Sequence, residues 1–123
     1  MLKNILIVGC GGFLGSVLRY VTAVILPKFD GTNFPAATFA VNIIGGFVIG
    51  LIFGLSTKNT NFSEYTRLFL MAGVCGGFTT FSAFSLENFQ LIQNGQIFSA
   101  LIYILLSIFL CIGAVAAAYF IFK

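Results

Sequence analysis

Residues 68–89 read LFLMAGVCGGFTTFSAFSLENF. Apart from Glu87 the segment carries no charge, and its length of about 20 residues is enough to cross the hydrocarbon of a bilayer. In its middle, two adjacent glycines are followed by Thr79, Thr80 and Ser82, a cluster of poor helix formers. We therefore predict a membrane-spanning helix that is broken near 76–80.

A break at this depth needs partners inside the protein, because freed N–H and C=O groups find no water in hydrocarbon. Such backbone is tolerated where protein buries it or where it lines a water-filled cavity. The ends of the two half-helices can then point their partial charges at bound ions. The alternative is a continuous helix, softened by glycine, whose threonine hydroxyls bond back to the preceding turn.

The rest of the chain has the same apolar character. Of 123 residues, 59% are hydrophobic and 7% are charged, whereas a soluble domain carries about a quarter of its residues as charged. Apolar stretches predict helices at 5–26, 34–55, 66–89 and 97–122. We therefore predict an all-α membrane protein with four transmembrane helices. It would form a single membrane domain over residues 1–123 that passes through the membrane several times.

The orientation in the membrane is only weakly indicated. An even number of crossings puts both termini on one face, together with the second connection. Cations on that face slightly outnumber those on the other, which favours cytoplasmic termini. Two interpretations stay open: one fixed orientation, or insertion in both orientations to make antiparallel dimers. The cations compared are Lys3, Lys58, Arg67 and Lys123 on the first face, and Lys28 and Arg19 on the other.

Small residues recur at helical spacing in the first three spans. Such residues let helix backbones approach closely where lipid provides no hydrophobic drive for association. We expect them to pack helices together. A single four-helix bundle is filled by its side chains, so a conducting form would be an oligomer, and a dimer is the simplest. The glycines are Gly11 with Gly15, Gly46 with Gly50 and Gly54, and Gly73 with Gly77.

The sequence does not predict an enzyme. It has no histidine, and its carboxylates, Asp30, Glu64 and Glu87, lie in separate parts of the chain. A membrane hydrolase needs a nucleophile with a base, or a metal cluster, so we expect no catalytic residues.

Cysteines occur in separate spans without C-x-x-C spacing and are predicted to be free thiols. They are Cys10, Cys75 and Cys111.

Polar residues form two stripes inside the apolar helices. Thr38 and Asn42 are four apart on the second span, and Tyr103, Ser107 and Cys111 follow one another at the same interval on the fourth. Polar groups at membrane depth are costly and indicate a pathway. Each stripe has a second interpretation, since Asn42 can join helices and hydroxyls can bond their own turn.

Three further residues can be interpreted in two ways. Phe81 and Phe84 follow the predicted break and can simply pack, but the electropositive edge of a ring can also meet an anion. An anion held in this way is not trapped by a full positive charge, as conduction requires. Arg19 lies about 10 Å from the end of its span, within reach of the membrane surface. It can anchor the helix or draw anions into a vestibule.

Three motifs together point to a family. They are GFLGSVLRY at 12–20, VNIIG at 41–45 and GGFTTFSAFSLE at 76–87. In this order the chain resembles the Fluc (CrcB) fluoride channels along essentially its whole length. The resemblance implies a passive, fluoride-selective channel that exports toxic fluoride. It would be a dual-topology homodimer of two antiparallel subunits with two pores.

The resemblance also implies roles for single residues. Phe81 and Phe84 would form an aromatic box whose edges meet the ion, and Asn42 would donate hydrogen bonds near it. Backbone carbonyls of Gly76 and Thr79 from both subunits would hold a structural sodium ion at the dimer centre. The other anion-pore residues would be Arg19 by the vestibule, Tyr103 and Ser107 on the fourth helix, and Thr38 as a neighbour.

Two positions depart from the family pattern, and one matching position has no role yet. Cys111 stands where relatives commonly carry a hydroxyl, and a thiol is a weaker hydrogen-bond partner. Ala83 stands where the motif often has threonine. Glu87 matches the acidic residue that closes the third motif, but neither its chemistry nor the resemblance assigns it a role.

Two other functions remain as alternatives. A proton-coupled small multidrug exporter is also a four-helix dual-topology dimer, but it normally needs a carboxylate in its first span, and residues 5–26 contain none. A structural membrane subunit would explain the glycines but not the broken span. For the channel we expect the fluoride ion, membrane lipid and a second copy of the chain as partners, and no nucleic acid.

Overall fold

The computed structural model describes residues 1–27, 33–59 and 61–123. Lys28 and Asp30, which were named above in the arguments on orientation and on carboxylates, lie outside these residues. All regular elements in the described part are helical, and four spans are long and apolar enough to cross a membrane, so the chain is a multi-pass membrane protein. The spans are α1 (Leu2–Ile25), α2 (Ala36–Lys58), α3 (Glu64–Gln93) and α4 (Ile97–Phe122).

The predicted bounds lie close to those found. The largest difference is at the end of α3, which was predicted at 89 and is found at Gln93. That helix ends in a turn through Gly95, whose φ of 77° is in the left-handed region where glycine is favoured. Charged and amide residues near the ends of a span extend a helix beyond its apolar part, which hydropathy does not detect.

The third span, α3, is composite. It begins as an α-helix over Glu64–Arg67, widens to a π-helix over Leu68–Cys75 and returns to an α-helix over Gly76–Phe78. Thr79 and Thr80 are then extended, with ψ angles of 155° and 117°. A second α-helix follows over Phe81–Gln93. We call the parts before and after the two threonines the first and second halves of α3. The predicted break is confirmed.

The break is narrower than the sequence suggested, because the two glycines before it remain helical. Gly77 allows close packing: a Cβ built on it would lie 2.5 Å from the carbonyl oxygen of Gly12 in α1. The break itself is made by the threonines. The hydroxyl and the backbone N–H of Thr79 both donate to the Cys75 carbonyl oxygen. Thr80 Oγ1 caps the next helix by accepting a hydrogen bond from Ala83 N at 3.1 Å.

Glycine contacts join α1 to the first half of α3. Cβ atoms built on Gly11 and Gly73 would each lie 2.9 Å from the Cα atom of the other residue. One on Gly15 would overlap the Val74 carbonyl oxygen and lie 2.7 Å from Phe78 N. The backbones of these two helices are therefore in direct contact, as the glycine spacing predicted.

Glycines join α2 to α4 in the same manner. A Cβ on Gly46 would lie 3.0 Å from the Cys111 carbonyl oxygen, and one on Gly54 would lie 2.9 Å from that of Tyr119. Gly50 between them lies against the backbone of Val115. The fold thus consists of two closely packed helix pairs, α1 with the first half of α3 and α2 with α4.

The second half of α3 leaves α1 and packs mainly on α4, with a few contacts to α2. The two extended threonines redirect the chain from one helix pair to the other. Large apolar side chains cover the outside, among them Phe98 and Phe109, which are more than 70% exposed in the isolated chain. Hydrocarbon is a suitable solvent for such a surface.

The close contact at Gly15 leads to a stability prediction. Gly15→Ala should destabilise the protein by about 1–3 kcal/mol, because the added methyl group forces α1 away from α3. Gly9→Ala on the same helix is the matched control, since a Cβ there meets nothing within 4 Å. The unfolding midpoint in detergent measures both. Equal midpoints for the two variants would contradict the packing described here.

Candidate functional site

The break in α3 is held by one side chain from α2. Asn42 Oδ1 accepts from Thr80 N at 2.8 Å, and Asn42 Nδ2 donates to the Thr80 carbonyl oxygen at 3.2 Å. This pairing defines the orientation of the amide, because a backbone N–H can only donate and a carbonyl can only accept. Asn42 therefore joins α2 to the break. Its second N–H bonds no other described residue.

The break frees backbone oxygens. Thr80 N–H, which would bond the Gly76 carbonyl in a continuous helix, donates to Asn42 instead. Ala83 N–H, which would bond the Thr79 carbonyl, donates to Thr80 Oγ1. The carbonyls of Gly76 and Thr79 thus lose their helical donors, and both residues line the same cavity.

Such carbonyl oxygens have the chemistry that a hard cation such as sodium prefers. Within the described part of the chain, no three His, Cys, Asp or Glu side chains come together as a metal site. The freed carbonyl oxygens of Gly76 and Thr79 are therefore the hard ligands that the break offers to a cation. The two residues named from the resemblance fit this donor set.

Arg19 lies on the α1 side of the break. Its Nε donates to the Gly77 carbonyl oxygen at 3.1 Å, and the side chain is partly exposed. It therefore does more than anchor α1 at the membrane surface, since it satisfies a carbonyl one turn before the second half of α3 begins. Its role toward an anion stays a prediction.

The aromatic residues form a continuous path after the break. The ring centroids of Phe81 and Phe84 are 5.5 Å apart, and those of Phe84 and Tyr103 are 5.1 Å apart. Phe34 and Phe39 then pack on Tyr103. Phe81 is at the open end of this path and is 78% exposed, whereas Tyr103 is completely buried.

Glu87 is the residue whose role the sequence left open. It accepts hydrogen bonds from Thr38 Oγ1 at 2.5 Å and from Tyr103 Oη at 2.9 Å, one on each carboxylate oxygen. Three helices therefore meet at this carboxylate. Its match to the third motif was the only signal in the sequence, because the hydroxyls that bind it lie on other helices.

Asn88 is a second residue that the sequence analysis did not single out. Its side chain is 6% exposed, and Nδ2 donates to the Phe84 carbonyl oxygen at 2.9 Å. Its Oδ1 bonds none of the described residues.

Beside Glu87 a polar cavity of about 310 Å³ opens toward the end of α3. It is lined by Asn33, Pro35, Glu87, Gln90, Leu91, Gln93 and Asn94.

A larger cavity of about 420 Å³ lies between α2, α3 and α4. Ser107 contributes a hydroxyl that is buried, at 6% exposure, and has no hydrogen-bond partner among the described residues. No residue lining the cavity is charged. The lining residues are Asn42, Gly45, Gly46, Ile49, Met71, Cys75, Gly76, Thr79, Thr80, Phe81, Phe84, Ser107, Ile108, Cys111 and Ile112.

The structure thus divides the predicted pore residues into three groups. Four of them share the large cavity, namely Asn42, Phe81, Phe84 and Ser107. Thr38 and Tyr103 lie beyond Phe84 and are bonded to Glu87, while Arg19 lies on the other side of the break.

Comparison with known proteins assigns the family. The sequence profile of the family described as CrcB-like protein, Camphor Resistance (CrcB), matches residues 6–119. The chain belongs to the CrcB family. This match covers every helix that contributes to the cavity and to the break.

Several curated members of the CrcB family are close relatives of the chain, and they are named fluoride-specific ion channel FluC. The protein from Flavobacterium psychrophilum is 52% identical over 89% of this chain and 88% of its own. That from Azobacteroides pseudotrichonymphae is 47% identical over 97% and 95%, and that from Agrobacterium fabrum is 47% identical over 93% and 91%.

The two hydrogen bonds between Asn42 and Thr80 lead to a second stability prediction. Asn42→Leu should destabilise the protein by about 2–4 kcal/mol, because two backbone groups lose their partner. Asn33→Leu is the matched control, since that amide makes one exposed bond to Gln96. It should cost less than about 1 kcal/mol. Thermal unfolding followed by circular dichroism compares them, and similar losses would argue against Asn42 as the support of the break.

Proposed function

We propose that the chain forms a passive channel, selective for fluoride, through which a cell exports toxic fluoride across its inner (plasma) membrane. The observation that carries this proposal is the similarity, over nearly the whole chain, to relatives named fluoride-specific ion channel. The family and these names also favour an ion channel over the multidrug exporter, the structural subunit or an enzyme.

The chemistry of the large cavity supports an anion pathway. Fluoride holds its water tightly, so a pore must replace that water with hydrogen-bond donors. The unpartnered Ser107 hydroxyl and the second N–H of Asn42 can donate, and the edges of Phe81 and Phe84 are electropositive. Because no charged group lines the cavity, an anion that enters is not held too strongly to leave. A narrow passage would exclude the larger chloride ion.

The hydroxyl track would continue the pathway toward the polar cavity. Beyond Phe84, the Tyr103 hydroxyl is shared with Glu87, which the Thr38 hydroxyl also binds. Both hydroxyls already donate to the carboxylate, so an anion could use them only if this arrangement changed. Arg19, across the break, supplies the nearest described positive charge and would favour anions in a vestibule.

The functional unit would be an antiparallel, dual-topology homodimer with two pores. One copy leaves the break partly uncovered, because Gly76 and Phe81 are exposed although they lie at membrane depth. A second copy, related by a twofold axis, would cover this surface with the same residues. Each large cavity, open on that side in the single chain, would then become a closed passage.

A structural sodium ion at the dimer centre fits the freed carbonyls of Gly76 and Thr79. When bound, the ion would supply positive charge that stabilises carbonyl oxygens brought together from two subunits. The residues of this chain do the remaining work. Asn42 holds Thr80 N–H away from the Gly76 carbonyl, so that this oxygen is available to a cation.

The central test is fluoride efflux from liposomes. With a potassium ionophore added to balance the charge, purified protein in vesicles loaded with potassium fluoride should release fluoride, and vesicles loaded with potassium chloride should keep chloride, each measured with an ion-specific electrode. Vesicles that are loaded in the same way but contain no protein provide the baseline. If vesicles with protein retain fluoride as well as protein-free ones do, the channel proposal is wrong.

The free hydroxyl of Ser107 provides a sharper test. Ser107→Ala should slow fluoride efflux about tenfold. The variant loses one hydrogen bond to the ion, and a loss of about 1.4 kcal/mol corresponds to a factor of about ten. It should not lower stability, because this hydroxyl bonds none of the residues that the structure describes. Ser56→Ala is the control, since that hydroxyl bonds the Phe53 carbonyl at the exposed end of α2. Unchanged efflux in Ser107→Ala would remove Ser107 from the pathway.

A further inference from the structure

Three sulfur side chains line the large cavity, a feature that the proposed anion pathway does not use. Met71 and Cys75 are four residues apart in the π-helical segment of α3, and Cys111 is on α4. Both cysteines are free thiols. Cys75 is 3% exposed, while Cys111 is partly exposed. The third cysteine, Cys10, is exposed on α1 and does not line this cavity.

Contacts with α2 bring the two cysteine-bearing helices to the same level. Gly45 lies against the Thr79 methyl group, and Thr79 bonds the Cys75 carbonyl through both its N–H and its hydroxyl. The next residue, Gly46, lies against the Cys111 carbonyl. Two consecutive residues of α2 thus contact the backbone around both cysteines. Both cysteines are therefore lining residues of the same cavity, one on α3 and the other on α4.

The cavity also contains an unused oxygen next to these sulfur atoms. Ser107 precedes Cys111 by four residues on the same face of α4. Its buried hydroxyl has no partner among the described residues. Two thiols, a thioether and a free hydroxyl therefore share a cavity without charged groups. Thiolates and thioethers select soft cations such as Cu⁺ and Ag⁺, whereas the carbonyl oxygens nearby suit hard ones.

We propose that Cys75 and Cys111, together with the Met71 thioether, bind a soft monovalent cation, and that the bound ion obstructs the fluoride pathway. Each thiol that binds the metal releases one proton to solvent, so that the sulfur becomes a thiolate. Two thiolates and one Ag⁺ would leave the site with a single negative charge. That charge, with the volume of the ion, opposes entry of an anion. The obstruction rests on the proposed channel function, but the metal binding does not.

Silver is the probe, because it forms a soluble fluoride salt and binds thiolates strongly. Purified dimer in chloride-free buffer is mixed with silver nitrate and desalted, and the silver retained per chain is measured by mass spectrometry. Isothermal titration gives the affinity. Cys10→Ser serves as the matched control, and it should still retain one tightly bound silver ion per chain. Cys111→Ser added to the Cys10→Ser chain should weaken that binding about 100-fold or more, since the loss of even an outer-shell partner typically costs about 10–100-fold.

Cys75 is buried, so its replacement is tested twice, as Cys75→Ser and as Cys75→Ala, and the variant that keeps the elution volume of the dimer is used. It too should lose the tight site. Retention of one tightly bound silver ion when both Cys75 and Cys111 are replaced in the Cys10→Ser chain would overturn the proposal. Failure of Cys10→Ser to retain silver would do so as well.

Efflux separates the two parts of the proposal. Silver added to fluoride-loaded vesicles should stop most of the efflux in Cys10→Ser and much less of it when Cys111→Ser is added to that chain, each relative to its own rate without silver. Dithiothreitol should restore the flow. Bound silver with unchanged efflux would overturn the obstruction. Absence of efflux before silver is added would instead refute the channel, and the binding measurements would still decide the metal site.

Discussion

A side-chain amide that pairs with the backbone N–H and C=O of one residue supports the rest of this structure. Interrupting a helix in hydrocarbon leaves N–H and C=O groups without water, and each unpaired group costs several kcal/mol. Asn42 supplies an acceptor and a donor at once, matched to the donor and acceptor of Thr80. Because both bonds go to α2, the break also sets how α2 and α3 lie against each other. Because Asn42 supports the break, the carbonyls of Gly76 and Thr79 stay without helical donors, and the second half of α3 places its aromatic residues beyond the break.

Close backbone contact is the second constraint, and it explains why one chain leaves an open cavity. Glycines bring α1 against the first half of α3 and α2 against α4, so the backbones in each pair are in direct contact. The second half of α3 then crosses from one pair to the other. This crossing leaves a space beside Gly45 and Gly46, bounded by the break and by α4. The cavity follows from how these helices are joined.

The charged groups stand at the ends of the polar path, away from the large cavity. Arg19 bonds the Gly77 carbonyl on one side of the break, and Glu87 is bonded to two hydroxyls on the far side of Phe84. None of the described residues that line the space between them is charged, and the lining includes neutral donors, aromatic rings and sulfur-bearing side chains. For a member of the CrcB family this arrangement suits a small anion that must bind and leave again. The same neutral surface presents Cys111 and Cys75 to soft cations.

The sequence alone determined the number of spans, the place of the break and the helix faces that pack. Length, hydropathy and glycine spacing act locally along each helix, so they can be interpreted without knowing the neighbours. The tertiary structure decided how the polar groups are paired. Asn42 bonds Thr80, Glu87 receives two hydroxyls, and Ser107 is left without a partner among the described residues, although all four are polar residues in apolar helices. Hydrogen bonds between helices depend on distances and angles across the bundle, and these are established only when the helices are packed.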